Sequence, residues 1–176
     1  PQRLEIVCSS GGCEYRWEFE MSASRAAFRR QLTVRNVSSA EQVFQTAAYT
    51  APACALGPAQ AAIFPGSLPV GDQPLSEIPE GESLGPRSQE PLVALWDAAS
   101  MRGLGAWFHS EEEYAPVSVT RIGQGSSIRH SQQVAARLRP GEALTLGRQH
   151  FWLSHGARDE TLRGVQAVYG QVGLRA

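Results

Sequence analysis

Hydrophobic and polar residues alternate strictly along several short stretches of this chain, and this pattern indicates β-strands. The clearest stretch is residues 13–21, where Tyr15, Trp17 and Phe19 fall on one face and charged side chains fall on the other. Such alternation is typical of an antiparallel strand with one face on a core and one in solvent. Residues 4–8 precede it across Ser-Ser-Gly-Gly, so the two segments are predicted to form a hairpin.

The same kind of pattern predicts further strands, most of them bounded by turn residues. They cover residues 26–37, 42–50, 92–97, 103–109, 116–122, 127–138 and 144–154. Near the C-terminus, apolar side chains recur instead at helical spacing, at Leu162, Val165, Tyr169 and Val172. About nine short strands followed by one helix predict an all-β fold, an antiparallel β-sandwich with a single C-terminal helix.

Residues 51–91 interrupt the strand pattern, because they hold eight of the eleven prolines. Proline cannot donate to a β-ladder, so we predict a long irregular excursion with at most short strands. We expect it to lie on the surface and to pack down at apolar residues such as Ile63 and Phe64. Residues 1–176 are predicted to form one domain. The helix, residues 157–172, is predicted to be an exit helix with little chain left to pack on, so we expect a fragment of a longer protein.

Composition argues against a disordered chain, and it argues against nucleic acid and membrane as partners. The net charge is −1 and 42% of residues are hydrophobic, which fits neither a disordered chain nor an electrostatic binder of nucleic acid. All 16 basic residues are arginine, and they are scattered along the sequence. No apolar run is long enough for a membrane-spanning helix. The first residue is Pro1, so the sequence leaves the compartment open.

Cysteine and histidine spacing predicts no metal or cofactor site, because neither C-x-x-C nor H-x-x-x-H occurs. Cys8 and Cys13 flank Ser-Ser-Gly-Gly, and a four-residue loop would set them opposite each other. A cross-strand disulfide is then possible, although two small apolar residues at a hairpin end is the favoured interpretation. Cys54 stands alone.

The segment G-L-G-A-W-F-H-S-E-E-E-Y, residues 103–114, contains the candidate binding residues. The predicted strand places Trp107 and His109 on one face, and Glu113 and Tyr114 follow in the loop. An aromatic ring beside an imidazole and carboxylates is what a sugar site uses, for stacking and for hydrogen bonds to hydroxyls. The alternative is that Trp107 packs between sheets and that the glutamates form a solvated turn.

The other histidines are weaker candidates. His130 points to the same side of its predicted strand as several apolar residues, and this strand parity favours a hydrogen-bonded interior position. His150 shares a face with Trp152, and that face is either exposed or covered by another domain. His155 comes just before the helix. No nucleophile elbow, phosphate-binding loop or dinucleotide glycine pattern is present, so no catalytic residue is predicted.

Four local features resemble the N-terminal β-supersandwich domain of α-galactosidase-type glycoside hydrolases, a domain with the galactose mutarotase-like fold. They are L-T-V-R-N-V-S-S (32–39), the F-P-G loop (64–66), G-L-G-A-W-F-H-S-E-E (103–112), and L-R-P-G-E-A-L (138–144) followed by H-G-A-R-D-E-T-L-R-G-V-Q-A-V-Y-G (155–170). The resemblance implies that a catalytic (β/α)₈ barrel follows this domain and carries the catalytic carboxylates. It also implies that loops at Phe64 and at residues 107–114 lie at the rim of the barrel's active site.

Three functions are compatible with these observations. The first is a non-catalytic domain that flanks a sugar site and binds carbohydrate weakly. The second is a free-standing aldose epimerase, which needs a general acid and a general base on opposite sides of a sugar. For that role His109 or His130 would act with one of the glutamates 111–113. The third is a β-sandwich interaction module without sugar chemistry.

Overall fold

The structure, a computed structural model, describes residues 2–23, 26–57, 60–64, 72–85, 92–109 and 115–171, without the side chains of residues 52, 53 and 165–171. Twelve strands, one turn of 3-10 helix and one α-helix are present in these residues. In chain order they are β1 (Gln2–Ser10), β2 (Cys13–Met21), β3 (Ala27–Asn36), β4 (Gln42–Cys54), β5 (Gln60–Ile63), β6 (Asp72–Pro74), the 3-10 turn (Leu75–Glu77), β7 (Ser83–Leu84), β8 (Leu92–Asp97), β9 (Arg102–His109), β10 (Val117–Ile122), β11 (Gly125–Leu138), β12 (Ala143–His155) and α1 (Arg158–Gln171).

The strands form two sheets of different width that pack face to face. The large sheet has eight strands in the order β1-β2-β3-β12-β9-β8-β5-β6, and the small sheet has four in the order β4-β11-β10-β7. Every strand pair in the described residues is antiparallel. The predicted all-β sandwich with one C-terminal helix is therefore confirmed.

The first hairpin has a shorter turn than the sequence suggested. Ser10 pairs with Cys13, so only Gly11 and Gly12 lie in the turn. Both glycines have positive φ, 58° and 78°, which the tight turns that match strand twist require. This register pairs Cys8 with Tyr15 rather than with Cys13. The cysteines are thus diagonal neighbours, and all three cysteines of the chain are free.

Within the proline-rich excursion the described strands β5, β6 and β7 are short, as predicted, and the segment packs into the interior at the predicted residues Ile63 and Phe64. β5 pairs with both β6 and β8, and Ile63 has no exposed surface. Phe64, directly after β5, is 2% exposed. β5 lies in sequence between Pro58 and Pro65, so neither proline interrupts its ladder. Pro52 is tolerated inside β4 because β4 is an edge strand.

The main core lies between the sheets. It joins apolar side chains of β5, β8, β9 and β12 with those of β10 and β11, and it includes residues after β5 and β6. The largest fully buried side chains of the described residues include Tyr49, Phe108, Ile128 and His130. Below, the face of the large sheet that meets the small sheet is called the inner face, and the opposite one the outer face.

Helix α1 packs on the outer face. The Trp152 indole donates from Nε1 to the carbonyl oxygen of Thr161 at 3.0 Å, and Thr161 is 1% exposed. A Cβ on Gly164 would lie 2.5 Å from the Trp152 ring, so the helix approaches the sheet closely at this glycine. The amphipathic pattern predicted that Leu162 contacts the sheet. In this half of the helix Thr161 and Gly164 make the contact instead, and Leu162 is half-buried.

Candidate functional site

The outer face of the large sheet carries an aromatic and histidine-rich row across its central strands. Strand register places Trp107 of β9 beside Leu92 of β8 on one side and beside His150 of β12 on the other. His150 in turn lies opposite Arg29 of β3. Because directly paired residues point to the same side of a sheet, these four side chains share one face.

Trp107 is a packed residue in this row. It is 3% exposed and forms an apolar cluster with Leu92 and Trp152. Its ring centroid lies 5.5 Å from that of His109 and 5.2 Å from that of His150. The indole therefore forms a wall between two imidazoles rather than an open platform. A sugar could stack on it only after neighbouring groups had moved.

Gly105 and Trp152 fix how this wall is built. The two residues are paired across β9 and β12, and a Cβ on Gly105 would overlap the Trp152 ring. The glycine thus lets the indole lie flat over β9, where helix α1 covers it. The start of the helix is held at the sheet edge by Arg158, which donates from Nε and Nη2 to the Asp72 carboxylate at 2.8 and 2.6 Å.

His150 is neutral at physiological pH. Burial, together with the nearby cations Arg29 and Arg148, lowers its pKa to about 4. Its Nε2 atom is buried and has no hydrogen-bond partner. A buried nitrogen without a partner is costly to desolvate. His150 is therefore an energetic weak point of this face.

His109, on the same face as Trp107, is half-buried and is the last residue of β9. It neighbours Trp107, as its strand parity predicted. Glu113 and Tyr114 follow it in sequence but lie outside the described residues. Phe64, the remaining predicted site residue, lies in the main core, where it packs with inner-face residues. The structure therefore brings Trp107 and His109 together and places Phe64 on the other side of the large sheet.

His130 is far from this row, because it lies on β11 between the sheets. It is fully buried and stacks against Phe108. Arg30 donates from Nε to Gln149 Oε1 at 2.7 Å, and Gln149 Nε2 contacts His130 Nδ1 at 2.7 Å. Because the amide oxygen accepts from Arg30, the amide nitrogen faces His130 and donates to Nδ1. His130 is thus held neutral with its proton on Nε2, in the interior position that its parity favoured.

The strand patterns did not reveal two contacts in these arrangements, that of His150 with Trp107 and that of Arg30 with Gln149. His150 contacts Trp107 only because β12 pairs with β9, and strand parity alone does not reveal which strands are neighbours. Arg30 is a cation at an inward position of β3, which a search for apolar alternation passes over. Among the described residues there is no group of three or more His, Cys, Asp or Glu side chains that could hold a metal ion. The one helix in the described part of the chain is neither long nor apolar enough to cross a membrane.

The chain is similar to crystal structures of GH36 α-galactosidases. A variant of the enzyme AgaA from Geobacillus stearothermophilus, in complex with 1-deoxygalactonojirimycin, matches 95% of the chain with 26% of its own length, at a TM-score of 0.66 and 14% identity. The α-galactosidase from Lactobacillus brevis matches 91% of the chain with 24% of its own length, at a TM-score of 0.65 and 11% identity. No protein-family model and no curated protein sequence matches it.

This chain has the fold of the N-terminal β-sandwich domain of GH36 α-galactosidases. The predicted resemblance is thereby confirmed at the level of the fold. The chain spans about a quarter of the length of those enzymes. A TPR-domain containing protein from Parabacteroides distasonis matches 86% of the chain as well, at a TM-score of 0.53 and 11% identity. The fold therefore occurs beside different partners, and function has to be argued from the site.

Proposed function

We propose that this chain is a non-catalytic domain of a glycoside hydrolase that lies beside the catalytic domain and flanks its sugar site. The observation that carries the proposal is the match of nearly the whole chain to a quarter of several α-galactosidases. A catalytic barrel that follows in the chain would supply the catalytic residues. The parent protein is then a glycoside hydrolase, and this domain shapes one side of its site.

We place the sugar site next to the outer face of the large sheet. Helix α1 lies on this face, next to the row that contains Trp107 and His109. A domain joined to the helix would therefore be close to the row. His109 offers a half-buried imidazole for a sugar hydroxyl, with Glu113 and Tyr114 within five residues of it in sequence. Trp107 supports His109 by packing against it.

The arrangement of the histidines disfavours an epimerase in which His130 is the acid or the base. Its Nδ1 accepts from Gln149, and the residue is fully buried between the sheets. His109 lies on the outer face instead, so these two candidates do not face a common substrate position. An epimerase based on His109 alone would still need a second group on the opposite side of the sugar.

A sugar titration followed by NMR tests the proposal. We expect galactose and raffinose to shift the amide signals of residues 104–109 with a dissociation constant near the millimolar scale, which corresponds to about 4 kcal/mol. His109→Ala should weaken this binding without unfolding the domain, because the side chain is half-buried at a strand end. His155→Ala is the matched control, since it removes an exposed histidine of β12 whose partner on β9, Arg102, lies seven residues from His109, or about 23 Å along the strand.

Two outcomes would contradict the proposal. Amide signals of residues 104–109 that do not move at high sugar concentration would place the sugar site elsewhere. Turnover of an α-galactoside by the isolated chain, abolished by His109→Ala, would show that the domain is itself catalytic.

A further inference from the structure

The large sheet extends beyond the small sheet on one side. Strand β4 is the edge of the small sheet, and the Tyr49 ring on β4 contacts Trp17 of β2 and Phe108 of β9, at 5.4 and 5.1 Å between centroids. β4 therefore lies above β3 and the near side of β2. In the described part of the chain no further strand of the small sheet lies above β1 and the far side of β2.

The inner face of this extension is apolar. We call it the overhang, and define it by Leu4, Ile6, Cys8, Tyr15, Trp17 and Phe19, which strand register places on one face. Leu4 is 59% exposed and Ile6 is 46% exposed. Next to it, a cleft of about 240 Å³ opens between the sheets, with Tyr15 and Val34 on one side and Phe44 and Ala47 on the other. An exposed apolar face that continues into a cleft is typical of a binding surface.

The free edge of β4 runs along this surface. β4 pairs with β11 on one side only, and no backbone hydrogen bond from another described strand reaches its other side. Its regular part, residues 46–51, lies between the register shift at Gln133/Ala136 of its partner and Pro52. The Thr50 carbonyl oxygen accepts from the Arg30 side chain, and the other backbone groups on this edge have no strand partner among the described residues. Such an edge accepts an added strand.

Arg30 adds a charge to one end of the groove between β4 and the overhang. Its Nη2 donates to the carbonyl oxygen of Thr50 at 2.9 Å, and its guanidinium carbon lies 5.2 Å from the centroid of the Trp17 ring. None of the ion pairs among the described residues involves it. A half-buried arginine without an acidic partner provides charge complementarity for a carboxylate.

We propose that this groove binds one extended polypeptide segment as a fifth strand of the small sheet. The segment pairs with the free edge of β4, sets apolar side chains at every second position on the overhang, and places a carboxylate at Arg30. Main-chain pairing supplies affinity, and the side-chain contacts supply specificity. This site is separate from the outer face that the proposed function uses, because it lies on the inner face of the large sheet.

The overhang also limits the occupant to a single segment. Two copies of this chain that paired in antiparallel orientation through their β4 edges would place both large sheets on the same side of the joined small sheets. Each overhang is about two strands wide, or roughly 10 Å, so the two overhangs would meet below the new junction. A single strand fits in that space, whereas a second sandwich does not.

A synthetic eight-residue peptide with valine at every second position, threonine between and one terminal glutamate is the probe. We expect it to shift the backbone amide signals of residues 46–51 and the indole signal of Trp17 in NMR titrations. Ile6→Glu should weaken binding at least tenfold. Val7→Glu is the matched control, because Val7 is 47% exposed on the opposite face of the same strand, and it should change affinity less than twofold.

Three modified peptides test the mode of binding. Replacing the glutamate by glutamine should weaken binding about threefold to tenfold, through loss of the charge at Arg30. N-methylation of the amides on one edge of the peptide should abolish binding, while methylation of the other edge should not. Both protein variants are checked by near-UV circular dichroism, and β1 is exposed along its whole length, so its substitution leaves the core intact.

Three results would overturn the proposal. The first is no binding of the peptide at millimolar concentration. The second is equal weakening by Ile6→Glu and Val7→Glu, or equal binding of both N-methylated peptides. The third is a dimer in sedimentation experiments that Ile6→Glu dissociates, since the groove would then be covered by a second copy of the chain.

Discussion

At the scale of single residues, the close approach of neighbouring atoms and the burial of side chains decide which substitutions the outer face tolerates. Gly105 lets the Trp152 indole lie over β9, and Trp107 fills the space between two imidazoles. Neither role follows from the hydrophobicity of the residue. Both depend on which atoms the neighbouring strand brings close.

Gly105→Ala should be strongly destabilising. The added Cβ would overlap the Trp152 ring, so the indole and helix α1 would have to shift, at a cost of about 3 kcal/mol in the free energy of unfolding. Chemical denaturation measures this loss. Gly123→Ala is the control, because a Cβ there meets nothing within 4 Å and its φ of 56° costs only about 1 kcal/mol. Equal losses would contradict the role of Gly105.

His150 should make the stability of the domain depend on pH. Its pKa in the folded chain, about 4, lies below the ordinary value of 6.5, so the unfolded chain binds the proton more tightly. The free energy of unfolding should therefore be highest above pH 6.5 and fall as the pH drops toward 4. Since the residue is partly exposed, we expect the loss to be about 2 kcal/mol.

Denaturation of the wild type and of His150→Gln between pH 7.5 and 4 tests this expectation, because the variant should have a flatter profile. His155→Gln removes an exposed histidine of the same strand and should keep the wild-type profile. A profile that His150→Gln leaves unchanged would show that another group causes the pH dependence.

At the scale of elements, polar contacts at particular points hold pieces of the fold together. Helix α1 is attached to the sheet by the hydrogen bond from Trp152 to Thr161 and by the ion pair of Arg158 with Asp72. The ion pair connects the helix start to β6, which among the described strands pairs only with β5. One contact therefore stabilises both the helix and an edge strand.

Asp72→Asn should loosen the start of helix α1. The substitution removes one charge from a two-point contact between half-exposed partners, and we expect a loss of about 1 kcal/mol. Hydrogen exchange of the amides in residues 159–164 should accelerate more than exchange in β9. Glu41→Gln breaks the exposed pair with Arg137 and serves as the control without effect. Unchanged exchange in the helix would contradict this role of the ion pair.

At the scale of the whole molecule, one chain of polar side chains joins the two sheets through the core. Hydrogen bonds run from Arg30 of β3 to Gln149 of β12 and from Gln149 to His130 of β11. Arg30 also donates a hydrogen bond to the Thr50 carbonyl oxygen of β4. Gln149 and His130 are fully buried. A satisfied polar network at this position specifies how the sheets lie over each other, because sliding would break its bonds.

Gln149→Leu should lower stability by about 3 kcal/mol. It removes the hydrogen bonds that the side-chain amide makes with the Arg30 guanidinium and the His130 imidazole, and polar groups that lose a hydrogen bond in the interior keep their desolvation cost. Thermal or chemical denaturation measures the change. Thr46→Val removes an exposed hydrogen bond to Gln133 and should cost less than about 0.5 kcal/mol. A similar small loss for both variants would show that the network contributes little.

The sequence by itself determined the type of each long strand and the class of the fold. Alternation in residues 13–21 predicted β2 with its correct bounds, because a half-buried strand needs apolar residues at every second position. It also predicted that Trp107 and His109 share a face and that a helix comes last. The family resemblance, drawn from short motifs, predicted the fold that the solved structures then matched.

Only the tertiary structure decided which strands are neighbours and which faces are covered. The contact of Trp107 with His150, the buried position of β5 and the network through Gln149 all join residues distant in sequence. Strand parity says which residues point the same way, but it carries no information about the partner strand or its register. For the same reason the overhang, where an alternating pattern leaves Leu4 and Ile6 exposed, appears only when the widths of the two sheets are compared.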